Sequence, residues 1–269
     1  MTRLLTALIG LPLFFYVIKY LPPQVFLVLV SIAVVLASYE LFAIAEKRGL
    51  HAHRALGAAL GVAVVYTFFD PRLSTGDMVC AGAIAVSLAS LLRARGGGEA
   101  LAVGIGGTAV TLLAVVLIAM MLGYCVGLLG DGSEQGRDLT VLLFWVVWLS
   151  DAAAYAIGTM WGRHKLMPLI SPRKTVEGAV GALVVSIVAA VAARAWFFKT
   201  LLLGDALMLG LLLGIAGILG DLVESMMKRA AALKDSGALL PGHGGILDRA
   251  DSLLFAAPVL FYYHKYFIR

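Results

Sequence analysis

Charged side chains are scarce in this chain. Asp, Glu, Lys and Arg make up 14% of its 269 residues, whereas hydrophobic residues make up 61%. Soluble domains average about 25% charged and about 45–50% apolar residues. So few charged groups cannot cover a water-soluble surface of this size. The composition also excludes a disordered chain and a nucleic-acid-binding domain, so we expect a polytopic membrane protein with no nucleic-acid partner.

Cysteine is almost as scarce. The chain has two, Cys80 and Cys125, and both lie in apolar stretches. Their spacing fits no metal site and gives no support to a disulfide. We also find no internal sequence repeat, so the sequence does not favour an inverted-repeat transporter. Any chemistry must therefore come from other residue types.

Long apolar runs dominate what is present. We count nine, at residues 4–18, 22–45, 55–69, 78–92, 101–129, 139–162, 177–198, 205–227 and 252–267. A spanning helix needs about 20 residues. The runs predict an all-α, polytopic integral membrane protein with about nine transmembrane helices and no separate soluble domain. We divide this single membrane domain into N-terminal helices, 1–129, and C-terminal helices with a cytoplasm-facing cavity, 130–269.

Basic residues are distributed unequally between the two sides of this arrangement. Arg3 and the loops after the even-numbered segments hold 14 of the 21 Lys and Arg residues, and the opposite side holds 7. Cytoplasmic loops of membrane proteins carry the excess of positive charge. The N-terminus and the even-numbered loops are therefore predicted to be cytoplasmic. Two of these loops, 163–176 and 228–251, are unusually rich in charge or glycine and are where we expect chemistry.

Among the acidic residues inside apolar segments, we single out Asp151, Asp221 and Glu224. A charged side chain at the centre of a membrane costs about 2.5–3.5 kcal/mol on insertion scales, so each is a candidate functional residue. The alternative for each is a buried carboxylate that simply pairs with a nearby Lys or Arg. Tyr155 lies four residues after Asp151 and therefore on the same helical face.

The eighth segment carries one helical stripe that changes character along its length. At 100° per residue, the stripe contains Gly210, Gly214, Gly217, Asp221, Glu224, Ser225 and Lys228. The glycines are typical of close helix packing. The polar end predicts a cavity open to the cytoplasm alone. Carboxylates beside Lys and Arg in such a cavity suggest Mg²⁺ with phosphate, because Mg²⁺ favours one or two carboxylates plus phosphate oxygens.

The loop 228–251 has the residue types that phosphate binding needs. Its basic residues are Lys228, Arg229, Lys234 and Arg249, and its glycines include Gly242, Gly244 and Gly245. Glycine lets backbone N–H groups approach an anion closely. Asp248 and Asp251 are hard oxygen ligands, and His243 is a possible phosphate donor. Taken alone, the basic run could instead bind lipid headgroups, and a lone loop histidine is more often a surface residue.

These residues together form a pattern of 27 residues, 225–251. Its matching positions are Ser225, Lys228, Arg229, Lys234, Asp235, Gly237, Leu240, Pro241, His243, Gly244, Gly245, Ile246, Asp248, Arg249 and Asp251. The pattern resembles the signature of the phosphatidate cytidylyltransferase (CDP-diacylglycerol synthase) family, bacterial type. Ala250 departs from it, since a larger aliphatic residue or Thr is usual there.

A second stretch adds to the resemblance. Its matching positions are Asp151, Tyr155 and Gly158, then Ser171, Pro172, Arg173, Lys174, Thr175, Glu177 and Gly178. Ala152 stands where the family usually has a hydroxyl residue, and Trp161 where Phe is common. We also interpret Thr175 as a helix cap and Glu177 as a first-turn residue that complements the helix dipole.

The resemblance implies that CTP and phosphatidic acid react to give CDP-diacylglycerol and pyrophosphate, with Mg²⁺ and a second cation (Mg²⁺ or K⁺). It further implies a homodimer in the bacterial inner membrane. We assign catalytic roles to Asp221, Lys228, Arg229 and Asp248. The predicted metal ligands are Asp221 and Asp248, then Asp251 and Asp151. The predicted substrate contacts are Tyr155, Ser171, Lys174, Ser225, Lys234, Asp235, His243, Gly244, Gly245 and Arg249.

Other functions stay open on the residues alone. An ion-coupled transporter would use Asp151 and Asp221 as relay groups, and a CTP-dependent lipid kinase would release CDP instead of pyrophosphate. A CDP-alcohol phosphotransferase would carry the motif D-x₂-D-G-x₂-A-R, which does not occur in this chain.

Overall fold

The computed structural model describes residues 2–93, 98–233 and 245–268, with side chains from residue 10 onward except those of 98–103. The helices are α1 (Thr2–Tyr20), α2 (Pro23–Glu46), α3 (Arg54–Thr67), α4 (Thr75–Arg93), α5 (Gly98–Leu113), α6 (Met121–Leu129), α7 (Glu134–Trp161), α8 (Val176–Trp196), α9 (Leu203–Ala230) and α10 (Leu247–Phe267). A π-helical segment, Ala114–Met120, joins α5 to α6.

Six stretches of the described chain are long and apolar enough to cross a membrane. They are Pro23–Glu46, Thr75–Arg93, Gly104–Leu129, Glu134–Trp161, Val176–Trp196 and Leu203–Ala230. The predicted multi-pass helical class is therefore confirmed, but the number of nine spans is not. The apolar parts of α1 and α3 are shorter, and α10 carries acidic residues in its first turns and His264 and Lys265 in its last.

The chain is nearly, but not entirely, α-helical. In the predicted loop 163–176, strands β1 (Lys165–Met167) and β2 (Ser171–Thr175) form an antiparallel hairpin. Thr175 then caps α8, because its Oγ1 accepts a hydrogen bond from Gly178 N at 3.2 Å. The hairpin corrects the all-α prediction, and the cap confirms the predicted role of Thr175.

Glycine allows α9 to pack very closely on both of its neighbours. A Cβ atom at Gly210 would lie 2.5 Å from Ile187 Cα in α8. On the other side, a Cβ atom at Gly220 would lie 2.3 Å from the backbone oxygen of Asp251 in α10. The predicted packing role of the glycine stripe is confirmed at Gly210 and Gly214, and Gly220 extends the same principle to α10.

The N-terminal helices share a core with the C-terminal ones. Buried hydrophobic side chains of α2, α6, α7, α9 and α10 belong to one cluster. Tyr124 in α6 and Tyr262 in α10 also join through their hydroxyls at 2.7 Å. The two parts of the chain are therefore in direct contact, and this brings α2 beside the start of α10.

Candidate active site

Three carboxylates from two helices meet at the end of α9 that faces the hairpin. Asp221 and Glu224 come from α9 and Asp251 from α10, and one oxygen of each lies within 4.8 Å of the others. Two Mg²⁺ ligands on opposite sides of the ion are about 4 Å apart. Mutual repulsion among three carboxylates favours binding of a cation between them.

Glu224 gives the clearest indication that this carboxylate cluster fits a metal. Its side chain is 1% exposed. Oε2 lies 2.6 Å from Lys228 Nζ, whereas Oε1 is buried and accepts no hydrogen bond from any described residue. A buried carboxylate oxygen without a partner is costly. All the donor atoms of the cluster are carboxylate oxygens, and oxygen is the ligand type that Mg²⁺ takes.

Lys228 lies between two of the acidic groups. Its Nζ is 2.6 Å from Glu224 Oε2 and 2.5 Å from Asp248 Oδ1. Asp248 Oδ2 also accepts a hydrogen bond from Gly245 N at 3.0 Å. Asp248 lies on the first turn of α10, outside the six candidate spans. Burial raises the pKa of its carboxyl, but the hydrogen bonds from Lys228 and Gly245 outweigh burial and hold that pKa below its ordinary value.

Lys174 reaches the same cluster from the hairpin. Its Nζ lies 2.7 Å from Asp221 Oδ1 and 3.4 Å from Ser225 Oγ. The hairpin register places Lys174 one residue before the α8 cap. Two lysines from different elements therefore flank the carboxylates, an arrangement suited to phosphate groups beside a metal.

Asp151 and Asp251 are linked through the start of α10. Asp151 Oδ1 accepts a hydrogen bond from Ser252 Oγ at 3.1 Å, and Ser252 directly follows Asp251 in the chain. Asp251 lies in the first turns of α10, outside the candidate spans. Its burial and the neighbouring carboxylate of Asp221 raise the pKa of Asp251. Asp151 and Tyr155 lie on an exposed face of α7. Within the cluster, the Asp221 side chain is 37% exposed.

The guanidinium group of Arg229, a predicted catalytic residue, forms hydrogen bonds to backbone oxygens. Its Nε donates a hydrogen bond to Ile170 O at 3.2 Å and its Nη1 to Leu233 O at 3.4 Å. In the structure Arg229 thus connects the turn of the hairpin to the end of α9. Its catalytic role stays a prediction.

Glu177 supports the hairpin from the first turn of α8. Its carboxylate accepts hydrogen bonds from Arg163 N at 3.1 Å and His164 N at 3.2 Å, and it contacts His164 Nδ1 at 2.6 Å. These bonds hold the end of α7 against the start of α8. Glu177 therefore fixes the base of the hairpin that carries Lys174.

Sequence reasoning did not single out Glu40. This residue lies inside the second apolar segment and is 4% exposed. Its Oε1 accepts a hydrogen bond from Ile246 N at 2.9 Å and its Oε2 from Leu247 N at 2.8 Å. The signal that could have identified Glu40 is the one used for Asp221. A carboxylate within an apolar run is costly and therefore indicates a functional or structural role.

The remaining predicted substrate contacts are only partly described. Ser171 begins β2, and Arg249 is an exposed residue on the first turn of α10. Lys234, Asp235, His243 and Gly244 lie outside the described residues. Their predicted roles stay predictions.

Comparison with known proteins points in the same direction as the geometry. The chain is 46% identical over 127 residues to a phosphatidate cytidylyltransferase of Staphylococcus saprophyticus, which covers 47% of this chain and 49% of that protein. For the phosphatidate cytidylyltransferase of Staphylococcus aureus (strain COL), the identity is 47% over 129 residues, covering 47% and 49%. For that of Synechocystis sp., it is 45% over 137 residues, covering 49% and 45%.

The chain thus spans about half the length of the curated relatives it matches. A broader model, described as the cytidylyltransferase family, matches residues 1–267. That match extends over the six candidate spans, the hairpin and the carboxylate cluster. The chain belongs to the cytidylyltransferase family.

Proposed function

We propose that this protein is a phosphatidate cytidylyltransferase, which transfers the cytidylyl group of CTP to phosphatidic acid and releases pyrophosphate. The observation that carries the proposal is the cluster of Asp221, Glu224 and Asp251 with Lys174 and Lys228 beside it. Family membership and the names of the relatives support the choice of CTP and phosphatidic acid.

The reaction joins two anions. An oxygen of the lipid phosphate forms a bond to the α-phosphorus of CTP, and the bond from that phosphorus to the bridging α–β oxygen breaks, so that pyrophosphate leaves. The lipid phosphate is already ionised at neutral pH, so no strong general base is needed. The protein must instead bring the two phosphates together and offset their repulsion.

We propose that Mg²⁺ is held by Asp221, Glu224 and Asp251, whose oxygens converge. When bound, the ion would neutralise charge on the α-phosphate and the leaving pyrophosphate. Asp248 and Asp151 remain proposed ligands for a second cation, Mg²⁺ or K⁺. In the structure Asp248 pairs with Lys228 and Asp151 accepts from Ser252.

The two lysines are suited to holding phosphates. Lys228 forms ion pairs with both Glu224 and Asp248. If Glu224 instead held a cation, its carboxylate would pair less strongly with Lys228. Lys228 would then be available to contact the lipid phosphate or the α-phosphate. Lys174, on the hairpin, would contact the β- and γ-phosphates, together with Lys234 and Arg249. Single positive charges of this kind position phosphates and offset their charge.

The proposed reaction also makes demands on the membrane setting of the site. The acyl chains of phosphatidic acid stay in the bilayer, so its headgroup must enter from the side, and the exposed face around Tyr155, which is 76% exposed, supports entry there. The 14 to 7 distribution of basic residues supports a site on the cytoplasmic side of a bacterial inner membrane. We further propose a homodimer, which native mass spectrometry of the detergent-purified protein would test.

One assay separates the proposed function from its alternatives. Purified protein is incubated with phosphatidic acid, Mg²⁺ and each of the four nucleoside triphosphates, and pyrophosphate, CDP and lipid products are measured. We expect pyrophosphate and CDP-diacylglycerol with CTP, and none after EDTA treatment until Mg²⁺ is restored. CDP with a phosphorylated lipid would identify a kinase. Ion or solute flux across proteoliposomes without CTP would identify a transporter.

A further inference from the structure

The start of α10 needs hydrogen-bond acceptors from elsewhere in the chain. The first N–H groups of any helix have no acceptor within the helix and must find one outside it. At α10 the N-cap residue is Ile246, whose side chain makes no capping hydrogen bond. Gly245 N is satisfied by Asp248 Oδ2 within the same segment. Two further N–H groups, those of Ile246 and Leu247, donate hydrogen bonds to a residue that is distant in the sequence.

Glu40 supplies both acceptors from α2. Each of its two oxygens takes one N–H, at 2.9 Å from Ile246 N and 2.8 Å from Leu247 N. The residue is 4% exposed and lies in a helix that is otherwise apolar. Negative charge is stabilised at a helix N-terminus by the helix dipole and by charge-assisted hydrogen bonds. The arrangement therefore accounts for a carboxylate that is costly to bury.

The same turn of α10 holds the residues that matter for the carboxylate cluster. Leu247 is followed directly by Asp248, and Asp251 lies one turn further on. Asp251 also lies where α10 packs very closely on α9. A Cβ atom added at Gly220 of α9 would lie 2.3 Å from the backbone oxygen of Asp251. The start of α10 is thus fixed on one side by α9 and at its end by Glu40. A shift of this turn would move Asp251 away from Asp221 and Glu224.

We infer that Glu40 is a positioning residue for the metal-binding carboxylates. By fastening the first turn of α10 to α2, it sets the distance of Asp251 from Asp221 and Glu224 and the contact of Asp248 with Lys228. It acts through the backbone of α10 and not by touching substrate. The inference rests on the proposed function only in taking the carboxylate cluster as the metal site.

The test measures binding of Mn²⁺ alone, by electron paramagnetic resonance, to the detergent-purified protein. Glu40→Gln keeps the size of the side chain, but its amide offers one acceptor oxygen where the carboxylate offers two. We expect the Kd for Mn²⁺ to rise about 10–100-fold, the usual effect of removing a group that orients metal ligands. Hydrogen exchange of the segment 245–252 should become faster. High Mg²⁺ should restore much of kcat.

Ser38→Ala is the matched control, because Ser38 is buried in the same helix and its Oγ accepts or donates no hydrogen bond among the described residues. It should leave the Mn²⁺ affinity unchanged. Glu40→Asp provides a second variant, whose shorter carboxylate should give an intermediate loss. If Glu40→Gln does not fold, Glu40→Asp decides, and wild-type affinity in that folded variant overturns the inference.

The outcomes also separate this inference from the proposed function. If the wild-type protein binds Mn²⁺, loses affinity on Glu40→Gln and makes no CDP-diacylglycerol, the positioning role stands and the proposed function fails. If the wild-type protein makes CDP-diacylglycerol and folded Glu40→Gln binds Mn²⁺ normally, the function stands and the positioning role is wrong. A wild-type protein that binds no Mn²⁺ or Mg²⁺ overturns the inference.

Discussion

At the scale of single residues, Lys228 and Lys174 both place an ammonium group beside carboxylates of the site, although they lie on different elements. Lys228 offsets the charge of Glu224 and Asp248, and Lys174 that of Asp221. With both lysines in place, the site combines acidic groups for a cation with basic groups for phosphate. Removing either kind of charge should therefore affect activity in a different way.

The acidic residues are tested by Asp221→Asn and Asp248→Asn. Each removes one negative charge while keeping the size of the side chain. We expect turnover to fall by about a hundredfold or more, because interactions that stabilise transition-state charge contribute several kcal/mol. Both variants should still insert and purify, which size-exclusion chromatography checks. Activity near that of wild type in either variant would rule out its assignment to the metal site.

Lys174→Ala tests the role of the hairpin. The ammonium group lies 2.7 Å from Asp221 Oδ1, and its loss should weaken contact with the nucleotide phosphates. We expect KM for CTP to rise more than KM for phosphatidic acid, as measured by initial rates with each substrate varied in turn. The opposite pattern would assign the hairpin to the lipid.

Much of this site could be predicted from the sequence, because its residues lie on one helical stripe or within one short pattern. Asp221, Glu224 and Lys228 are three and four residues apart, so helical geometry alone places them together. Glu40 could not be placed in this way, since its partner Ile246 is 206 residues away and only tertiary packing joins them.

At the scale of secondary-structure elements, the interface between α9 and α10 depends on the absence of a side chain. A Cβ atom at Gly220 would come within 2.3 Å of the Asp251 backbone oxygen, and backbone atoms cannot rotate away. We expect Gly220→Ala to destabilise the protein by about 1–3 kcal/mol and to reduce activity by displacing Asp251. Thermal unfolding in detergent and the pyrophosphate assay measure the two effects.

Gly204→Ala is the control for this substitution. Gly204 lies near the start of the same helix, and a Cβ atom there would meet nothing within 4 Å. It should leave stability and activity close to wild type. Equal destabilisation by the two substitutions would show that the contact with α10 does not explain the result at Gly220, because alanine favours a helix more than glycine does.

The hairpin was the main element that the sequence did not reveal. Its strands of three and five residues are too short to show the alternation typical of a strand. Basic residues and prolines in 163–176 indicated only an unusual loop. The hydrogen bonds of Glu177 and the capping by Thr175, which fix the hairpin, depend on the junction of α7 and α8.

At the scale of the whole molecule, the orientation in the membrane is open to direct test. The hairpin turn at Leu169 is 94% exposed, and Leu202, between α8 and α9, is 70% exposed. With Cys80 and Cys125 replaced by alanine, Leu169→Cys and Leu202→Cys place one thiol on each side. We expect a membrane-impermeant maleimide to label Leu202→Cys in intact spheroplasts and Leu169→Cys only after lysis.

Labelling in the reverse order would place the site on the outer side and contradict the orientation drawn from the distribution of basic residues.

The general membrane class was predictable from composition, since so few charged side chains exclude a soluble surface. The number of spans was less predictable, because α1, α3 and α10 differ from the others in length or polarity, and hydropathy alone does not decide how such helices pack.

The hydrogen bonds of Glu40 also have a consequence for how the protein is made. They join residues 206 and 207 positions apart in the chain. At about 5–20 residues per second, the ribosome needs roughly 10–40 s to reach Ile246 after it has made Glu40. During this interval α2 is synthesised without its partner, and a carboxylate within an apolar helix is poorly accommodated by lipid. The proposed metal site can therefore be completed only after the start of α10 has been made.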